Sequence, residues 1–335
     1  MTEPTSDRPL VTFALFAYNQ EGFIRDAVHA ALEQTYTPLE IILSDDCSSD
    51  STFAIMQEMV AAYDGPHRVM ARRNSPNLGT AMHVQSVANQ MLGEFMIVAA
   101  GDDISRSDRV EVLINAWVES GRNAVVLHSW THALYEGDAE PSETIKFKVN
   151  EVINLKWRLR NRKGAILAPT AAYRRSLFES FPPLIGGSFI EDGPMIVRGF
   201  LTGPFLGIPM PLVIQRKLAT SLGSGYSASN PARWNAFVRS KIISQFNKIQ
   251  DIGSLTITPD MEVLERQVHR DLRRLAKCTL PATCNDTFFF KVQTFFRILI
   301  FYPGTYTPSR KILFSLNFSG FKLSTLKKNI GVKSK

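Results

Sequence analysis

Three pairs of adjacent acids stand out in the chain: Asp45-Asp46, Asp102-Asp103 and Glu191-Asp192. Neighbouring carboxylates repel each other unless a cation or hydrogen-bond donors offset the charge. Asp45-Asp46 opens the run Asp45-Asp46-Cys47-Ser48-Ser49-Asp50-Ser51-Thr52. A nucleobase offers N–H donors, so Asp46 there can read a base edge, whereas Asp50 reads as a cap for the helix that follows. Gly101-Asp102-Asp103 suits a hard divalent cation, since Mg²⁺ takes one or two carboxylates together with substrate phosphates. One acid on a metal and one on a ribose hydroxyl is a sensible division. In Arg73-Asn74-x-x-Asn77-Leu78-Gly79, Gly79 permits close approach of backbone to a phosphate or sugar, or simply makes a turn. Glu191-Asp192, preceded by Gly186-Gly187, is either a positioned base or an acid pair favoured at a helix start.

These residues follow short apolar runs. Residues 10–16, 40–44, 68–72, 94–99 and 124–128 read as buried strands, and 21–34, 51–63, 80–91 and 107–120 as helices. Strand–helix alternation predicts a mostly parallel sheet with helices on both faces. Ligands in such sheets bind beyond the carboxyl ends of the strands, where the first two acid pairs fall. Residues 135–155 are less regular, and 164–178 resumes an apolar pattern. A Pro/Gly-rich loop at 181–188 leads into a helix-like stretch at 189–200. Residues 223–231 read as a linker, and 231–250 and 259–280 as amphipathic helices opening on Pro. His83 and His128 read as satisfied histidines, and Trp117, Trp130 and Trp157 as packing.

Several classes are excluded. With 335 residues, 44% hydrophobic and 21% charged, the chain is an ordinary globular protein of about two domains. Its three cysteines support neither a disulfide framework nor zinc spacing. No Gly-x-Gly-x-x-Gly turn follows the first strand and no Gly-Lys-Ser/Thr loop exists, which argues against dinucleotide binding and a P-loop. No apolar run reaches the roughly 18 residues of a membrane span, and the first residues carry no signal-peptide pattern, so a cytoplasmic location is expected. The net charge is +7, yet residues 287–335 hold nine Lys/Arg and no acid, leaving 29 basic against 31 acidic residues in 1–286. A basic nucleic-acid-binding body is therefore not supported.

The ordered set Tyr18-Asn19-x-Glu21, Gln34-Thr35-Tyr36, Glu40-Ile41-Ile42, Asp45-Asp46-x-Ser48-x-Asp50-x-Thr52, Asn77-x-Gly79 and Gly101-Asp102-Asp103 resembles family 2 glycosyltransferases of the GT-A fold. The resemblance spans about residues 10–222. It implies a Rossmann-like, mostly parallel α/β sheet with flanking helices, as a catalytic domain over 1–222. A helical C-terminal extension would occupy 223–335. It further implies a nucleotide diphosphate sugar bound by Ala17, Tyr18, Glu21, Asp46, Asn77, Gly79 and Asp102. Mn²⁺ or Mg²⁺ would be held by Asp103 and Asp102, Asp103 being the direct ligand. Asp192 would be the general base, Glu191 and Arg198 would meet the acceptor or support the loop, and Arg216 and Lys217 would face the diphosphate.

Two departures accompany the resemblance. Many members carry Asp-x-Asp-Asp where this chain has Ala100, and many carry Tyr-Arg-x-His where it has Leu218. Two other readings remain at this point. One is a nucleotidyltransferase, which would need a Gly-rich basic loop after the first strand. The other is a catalytically silent, membrane-docked nucleotide-sugar-binding subunit.

Residues 285–302 place Lys291, Thr294 and Arg297 in a narrow polar stripe among Phe, Val, Ile and Leu. Such a segment suits an in-plane helix at an anionic membrane surface, or a helix packed on the catalytic domain. The expected partners are thus a nucleotide diphosphate sugar, a saccharide or lipid-linked acceptor and a membrane surface, with no nucleic acid.

Overall fold

The computed structural model describes residues 8–146, 153–160, 168–218, 231–256 and 258–278. Residues 223–230 of the expected linker and the basic aromatic tail lie outside the described residues.

A single sheet organises the chain. Strands β1 (Val11–Ala17), β2 (Leu39–Asp45), β3 (Arg68–Arg73) and β4 (Phe95–Ala100) run parallel in the order β3-β2-β1-β4. The sheet continues through β8 (Ala172–Arg174), β6 (Val126–Tyr135), β9 (Phe205–Lys217) and the short β5 (Ile104–Ser105), while β7 (Glu143–Ile145) pairs with β6. Both β8 pairings are antiparallel, β6 and β9 run parallel, and β5 is antiparallel to β9. The mixed α/β, mostly parallel architecture expected from the residue pattern is the one adopted.

Alternation along each strand separates two cores. Phe13, Leu15, Ile41, Leu43, Phe95 and Ile97 face one side. They pack with helices α1 (Ile24–Leu32), α2 (Thr52–Ala61) and α4 (Arg109–Glu119). Ala14, Ile42, Met96 and Val98 face the other side, under α3 (Thr80–Ala88), α6 (Ser176–Glu179) and α7 (Asp192–Thr202). A third cluster joins α7 to α8 (Pro231–Gly253) and α9 (Pro259–Cys278), with Leu155 and Leu159 of α5 (Leu155–Arg160) against it. The C-terminal helices therefore share a core with α7.

The thirteen-residue β9 is not among the strands read from the sequence. Gly207, Pro209 and Pro211 interrupt its apolar pattern, and proline belongs to strand edges and bulges. The β6–β9 ladder accordingly shifts register around Trp130, which pairs with Pro211.

Candidate functional site

Register brings three loops to one edge. Ala17 pairs with Asp45 and Phe16 with Ala100, so β1, β2 and β4 end side by side. The Asp46 N–H donates to the Ala17 carbonyl at 2.9 Å, and the Gly101 N–H to that of Phe16 at 2.8 Å.

The loops after β1 and β2 interlock. Asn19, Gln20 and Glu21 donate backbone N–H groups to Ser48 Oγ (2.9 Å), Thr52 Oγ1 (2.8 Å) and Asp50 Oδ2 (3.1 Å). In return Ser49 and Ser51 donate theirs to Asn19 Oδ1 (2.8 Å) and Glu21 Oε2 (2.9 Å). Asn19 and Cys47 accept positive φ values of 51° and 66° to close these turns. Glu21, expected at the nucleotide, thus has one carboxylate oxygen holding the neighbouring loop. Asp50 also accepts the Thr52 N–H at 3.0 Å, but the N-cap position of α2 is Ser51, so Asp50 sits one residue before the cap role read for it. The Tyr18 ring stands clear, 51% exposed.

The first acid pair is densely supplied with donors. Asp45 is buried, accepts from the N–H (3.0 Å) and hydroxyl of Ser48, and pairs with Arg73 Nε at 3.2 Å. Asp46 Oδ1 accepts from Asn74 Nδ2 (2.8 Å) and the Leu78 N–H (2.9 Å), and its Oδ2 from the Gly79 N–H (2.9 Å). A carboxylate has about four lone-pair directions, so the expected base contact is narrowed to the one left on Oδ2. Asn77 and Gly79 serve the same closure. Asn77 donates to the Asp46 carbonyl at 2.7 Å, and Gly79 turns at φ +73°.

Behind this loop lies a polar network that the sequence reading missed. Arg72 donates to Ser44 Oγ and Asn74 Oδ1, which orients Asn74 toward Asp46. His83 Nε2 lies 2.6 Å from Ser44 Oγ, and burial pushes this ring down to about 4, so it is a satisfied neutral histidine as expected. The usable signal was the alternation Arg72-x-Asn74 at a strand end.

The second pair is sparsely supplied. Asp103 is buried and accepts the Arg216 N–H at 3.0 Å. Burial, and then the Asp102 charge, push its carboxyl up to about 8, and burial also raises Asp102. Arg109, fully buried, feels Asp103 electrostatically. Its guanidinium is nonetheless spent on Ser105 Oγ and the Val98 and Pro169 carbonyls, each at 2.9 Å. A divalent cation fits this donor set, because both carboxyls are raised by burial, and Asp103 also by the Asp102 charge, and so gain from a positive partner. Among the described residues no cluster of three or more His, Cys, Asp or Glu side chains could hold a metal ion. Two carboxylates completed by substrate phosphates and water is the Mg²⁺ pattern.

Three of the expected charged residues have protein partners of their own. The Arg216 guanidinium donates to the Asp102 carbonyl (3.0 Å) and Asp26 Oδ2 (2.7 Å) and lies 5.4 Å over the Phe23 ring. Its guanidinium thus braces the loop that carries Asp102 and Asp103. Lys217 donates to Gln215 Oε1, and its charge reaches Asp103. Of the two roles expected for Arg198, acceptor or support, its contacts are those of support. It is fully buried and bidentate to Asp251 at 2.9 and 3.0 Å, and it also donates to the Leu177 and Pro182 carbonyls. Support is its role, pinning α7 to α8.

The third pair begins α7. Its preceding loop is tied to the edge that carries Asp46, because the Ser188 carbonyl accepts the Ala81 N–H at 3.1 Å, just beyond Gly79. Helix α8 holds the same loop from behind. Asn247 Oδ1 accepts the Ile185 N–H at 2.7 Å, and Ser240 Oγ the Phe189 N–H at 3.3 Å. Burial, then the Asp192 charge, push Glu191 up to about 8. Asp192 Oδ1 accepts the Gly193 N–H at 2.6 Å.

Fold and site together define an α/β protein whose parallel strands end in an acid-lined edge. The family model for glycosyl transferase family 2 matches residues 12–181, half of the chain, so the protein belongs to that family. TuaG of Bacillus subtilis, named as a teichuronic acid biosynthesis glycosyltransferase, is 30% identical over 115 residues, 34% of this chain and 44% of TuaG. The succinoglycan biosynthesis protein ExoO of Rhizobium meliloti is 33% identical over 128 residues, 38% of this chain and 35% of ExoO. The chain spans about half the length of the curated relatives it matches. In structure it is similar to residues 1–349 of S. aureus TarS, solved in complex with UDP-GlcNAc. The TM-score is 0.56 at 17% identity, over 80% of this chain and 73% of that one, a likeness of fold. The family match stops at 181, so Asp192, α7 and α8 lie beyond it. Among the described residues no helix is long and apolar enough to cross a membrane.

Proposed function

We propose that the protein transfers a sugar from a nucleotide diphosphate sugar to a hydroxyl of a saccharide or lipid-linked acceptor, inverting the anomeric carbon. The observation that carries this reading is the shared edge. Two acid pairs meet there through the β2-β1-β4 register, and the loop before Asp192 is hooked onto the same edge at Ala81.

In this reading the exposed Tyr18 ring stacks on the base, the free direction of Asp46 Oδ2 accepts a base N–H, and Asp102 takes a ribose hydroxyl. Ala17 floors the pocket, and Lys217 supplies positive charge toward the diphosphate. Asp103, with Asp102, would hold Mn²⁺ or Mg²⁺, whose Lewis acidity supports negative charge on a leaving diphosphate. Asp192 removes the acceptor proton. The oxygen's electron pair forms the new bond to the anomeric carbon from the face opposite the phosphate. The anomeric carbon–phosphate oxygen bond breaks, and nucleoside diphosphate departs with that pair. Positioned acid–base catalysis of this kind contributes about 10²–10⁴-fold. The names of TuaG and ExoO support a place in surface polysaccharide or glycolipid assembly.

The basic aromatic tail would hold the enzyme against an anionic membrane on the cytoplasmic side. Deleting 286–335 is expected to abolish co-sedimentation with phosphatidylglycerol vesicles, and unchanged sedimentation would reject the docking role.

The test of the main reading is a panel of UDP-, GDP- and dTDP-sugars with Mn²⁺, in which the released product is measured. Nucleoside diphosphate release is the expected result, whereas pyrophosphate release would indicate a nucleotidyltransferase. Asp192→Asn should lower transfer by about 10²-fold or more while nucleotide binding stays intact. An unchanged turnover would reject Asp192 as the base.

A further inference from the structure

Gln20 is the position left without a role in the Tyr18-Asn19-x-Glu21 run, and its backbone is pinned from both sides. Its N–H donates to Thr52 Oγ1 at 2.8 Å. Its carbonyl accepts the Phe23 and Ile24 N–H groups, both at 2.9 Å, where α1 begins. The side chain therefore leaves from a fixed point between β1 and α1.

The carboxamide reaches across to the loop after β4. A Cβ on Gly101 would stand 2.6 Å from Gln20 Oε1, so the amide lies against backbone that glycine alone leaves open. The same Cβ would be 2.8 Å from Ala17 Cβ and 3.1 Å from Ile24 Cδ1. On one side, Gln20 Oε1 accepts the Tyr18 N–H at 3.3 Å. On the other, the Asp102 carboxyl takes a side-chain hydrogen bond from Gln20. A glutamine amide suits both contacts, because it carries one accepting oxygen and two N–H donors. Glutamate would offer acceptors alone and would set a like charge beside Asp102.

We infer that Gln20 is a positioning residue of the donor site. Its carboxamide ties the Tyr18 turn to the Asp102 carboxyl across Gly101, so the loops after β1 and β4 are held as one unit. Its value to the reaction rests on the glycosyltransferase reading, in which Tyr18 meets the base and Asp102 the ribose and the cation.

Each carboxyl of the second acid pair is thereby oriented by a different segment, Asp103 by the Arg216 N–H and Asp102 by Gln20. A donor to a carboxylate that holds a cation fixes which oxygen faces the metal, and its loss typically costs about 10–100-fold in metal affinity. Ala100 supplies no carboxylate ahead of Gly101, and the neutral Gln20 amide approaches this loop from the β1 side.

The experiment compares the full-length wild type with Gln20→Met and Gln20→Glu. Side-chain NMR of ¹⁵N-glutamine-labelled protein follows the Gln20 amide, assigned by the signals that Gln20→Met removes. Asp102→Ala is expected to move those signals, and unmoved signals overturn the inference. Mn²⁺ alone is then titrated, with the free ion read by electron paramagnetic resonance. Gln20→Met should weaken Mn²⁺ binding about tenfold, because Asp102 loses its orienting donor. Gln20→Glu should tighten it about tenfold, because a third carboxylate joins the pair. A general loosening of the loop would shift both variants the same way, so shifts of one sign overturn the inference. In transfer assays Gln20→Met should raise the KM for the nucleotide sugar about fivefold and leave kcat within about twofold. A wild type that binds no Mn²⁺ would sink the cation reading of Asp102, and the amide signals would still decide the link. Absence of transfer from every nucleotide sugar would instead sink the glycosyltransferase reading, with the NMR and Mn²⁺ results still deciding Gln20.

Discussion

Asp45-Asp46 and Asp102-Asp103 are the same chemical object placed twice along one sheet edge, and the fold treats them in opposite ways. The first pair receives a serine hydroxyl, an arginine, an asparagine and three backbone N–H groups. The second receives the Arg216 N–H on Asp103 and a Gln20 side-chain hydrogen bond on Asp102, and the Asp103 carboxyl remains pushed up to about 8. A carboxylate surrounded by donors is a finished structural part that organises its loop. A buried carboxylate short of donors stores a demand for a cation. The structure thus leaves one pair richly and the other sparsely supplied with donors, and under the proposed function the second is the cation's receptor.

Several variants break or sharpen this contrast. The largest effect on stability belongs to a third acid, Asp251, which is ion-paired with Arg198 even though burial still raises its carboxyl to about 6. Asp251→Ala leaves Arg198 buried without its partner and should cost about 3–5 kcal/mol in urea unfolding. That loss calibrates what an ion-paired buried acid is worth, and a value below ~1 kcal/mol would mean that the clamp is not holding α7. Asp46→Asn should behave in the same direction with a smaller loss, about 1–3 kcal/mol, because an amide group would then face backbone N–H donors.

Asp103→Asn should have the opposite sign. A carboxyl raised in the folded state carries a penalty that is absent below its unfolded value. The penalty grows as pH rises and is complete above about pH 8. Wild type should therefore lose Tm between about pH 5 and 8, with Glu191 adding to the loss, and Asp103→Asn should flatten part of that slope. Mn²⁺ should restore the wild type near pH 8 and leave Asp103→Asn unmoved. Equal Tm profiles for the two proteins would end the receptor reading. The smallest expected effect is that of Tyr18→Ala. Stability should hold while nucleotide affinity falls about fivefold by isothermal titration, the loss of roughly 1 kcal/mol of stacking.

Much of the edge was legible before any coordinates. Short apolar runs with period-two faces announce strands, and Asp45-Asp46 and Gly101-Asp102-Asp103 sit where those runs stop. Strand β9 was hidden because Gly207, Pro209 and Pro211 erase its pattern, and the β6 partnership that overrides them is a long-range contact. The bracing by Arg216 was hidden for a related reason. Asp26 and Asp102, which claim its guanidinium, lie 190 and 114 residues away in the chain.

The amino-acid sequence by itself determined the alternation of strands and helices, the family, and the residue types available at each strand end, because periodicity and turn chemistry are local. Which acids are satisfied and which are left wanting was decided by tertiary structure alone. The donors come from distant segments, and the cost of burying a charge depends on what surrounds it and not on the residue that carries it.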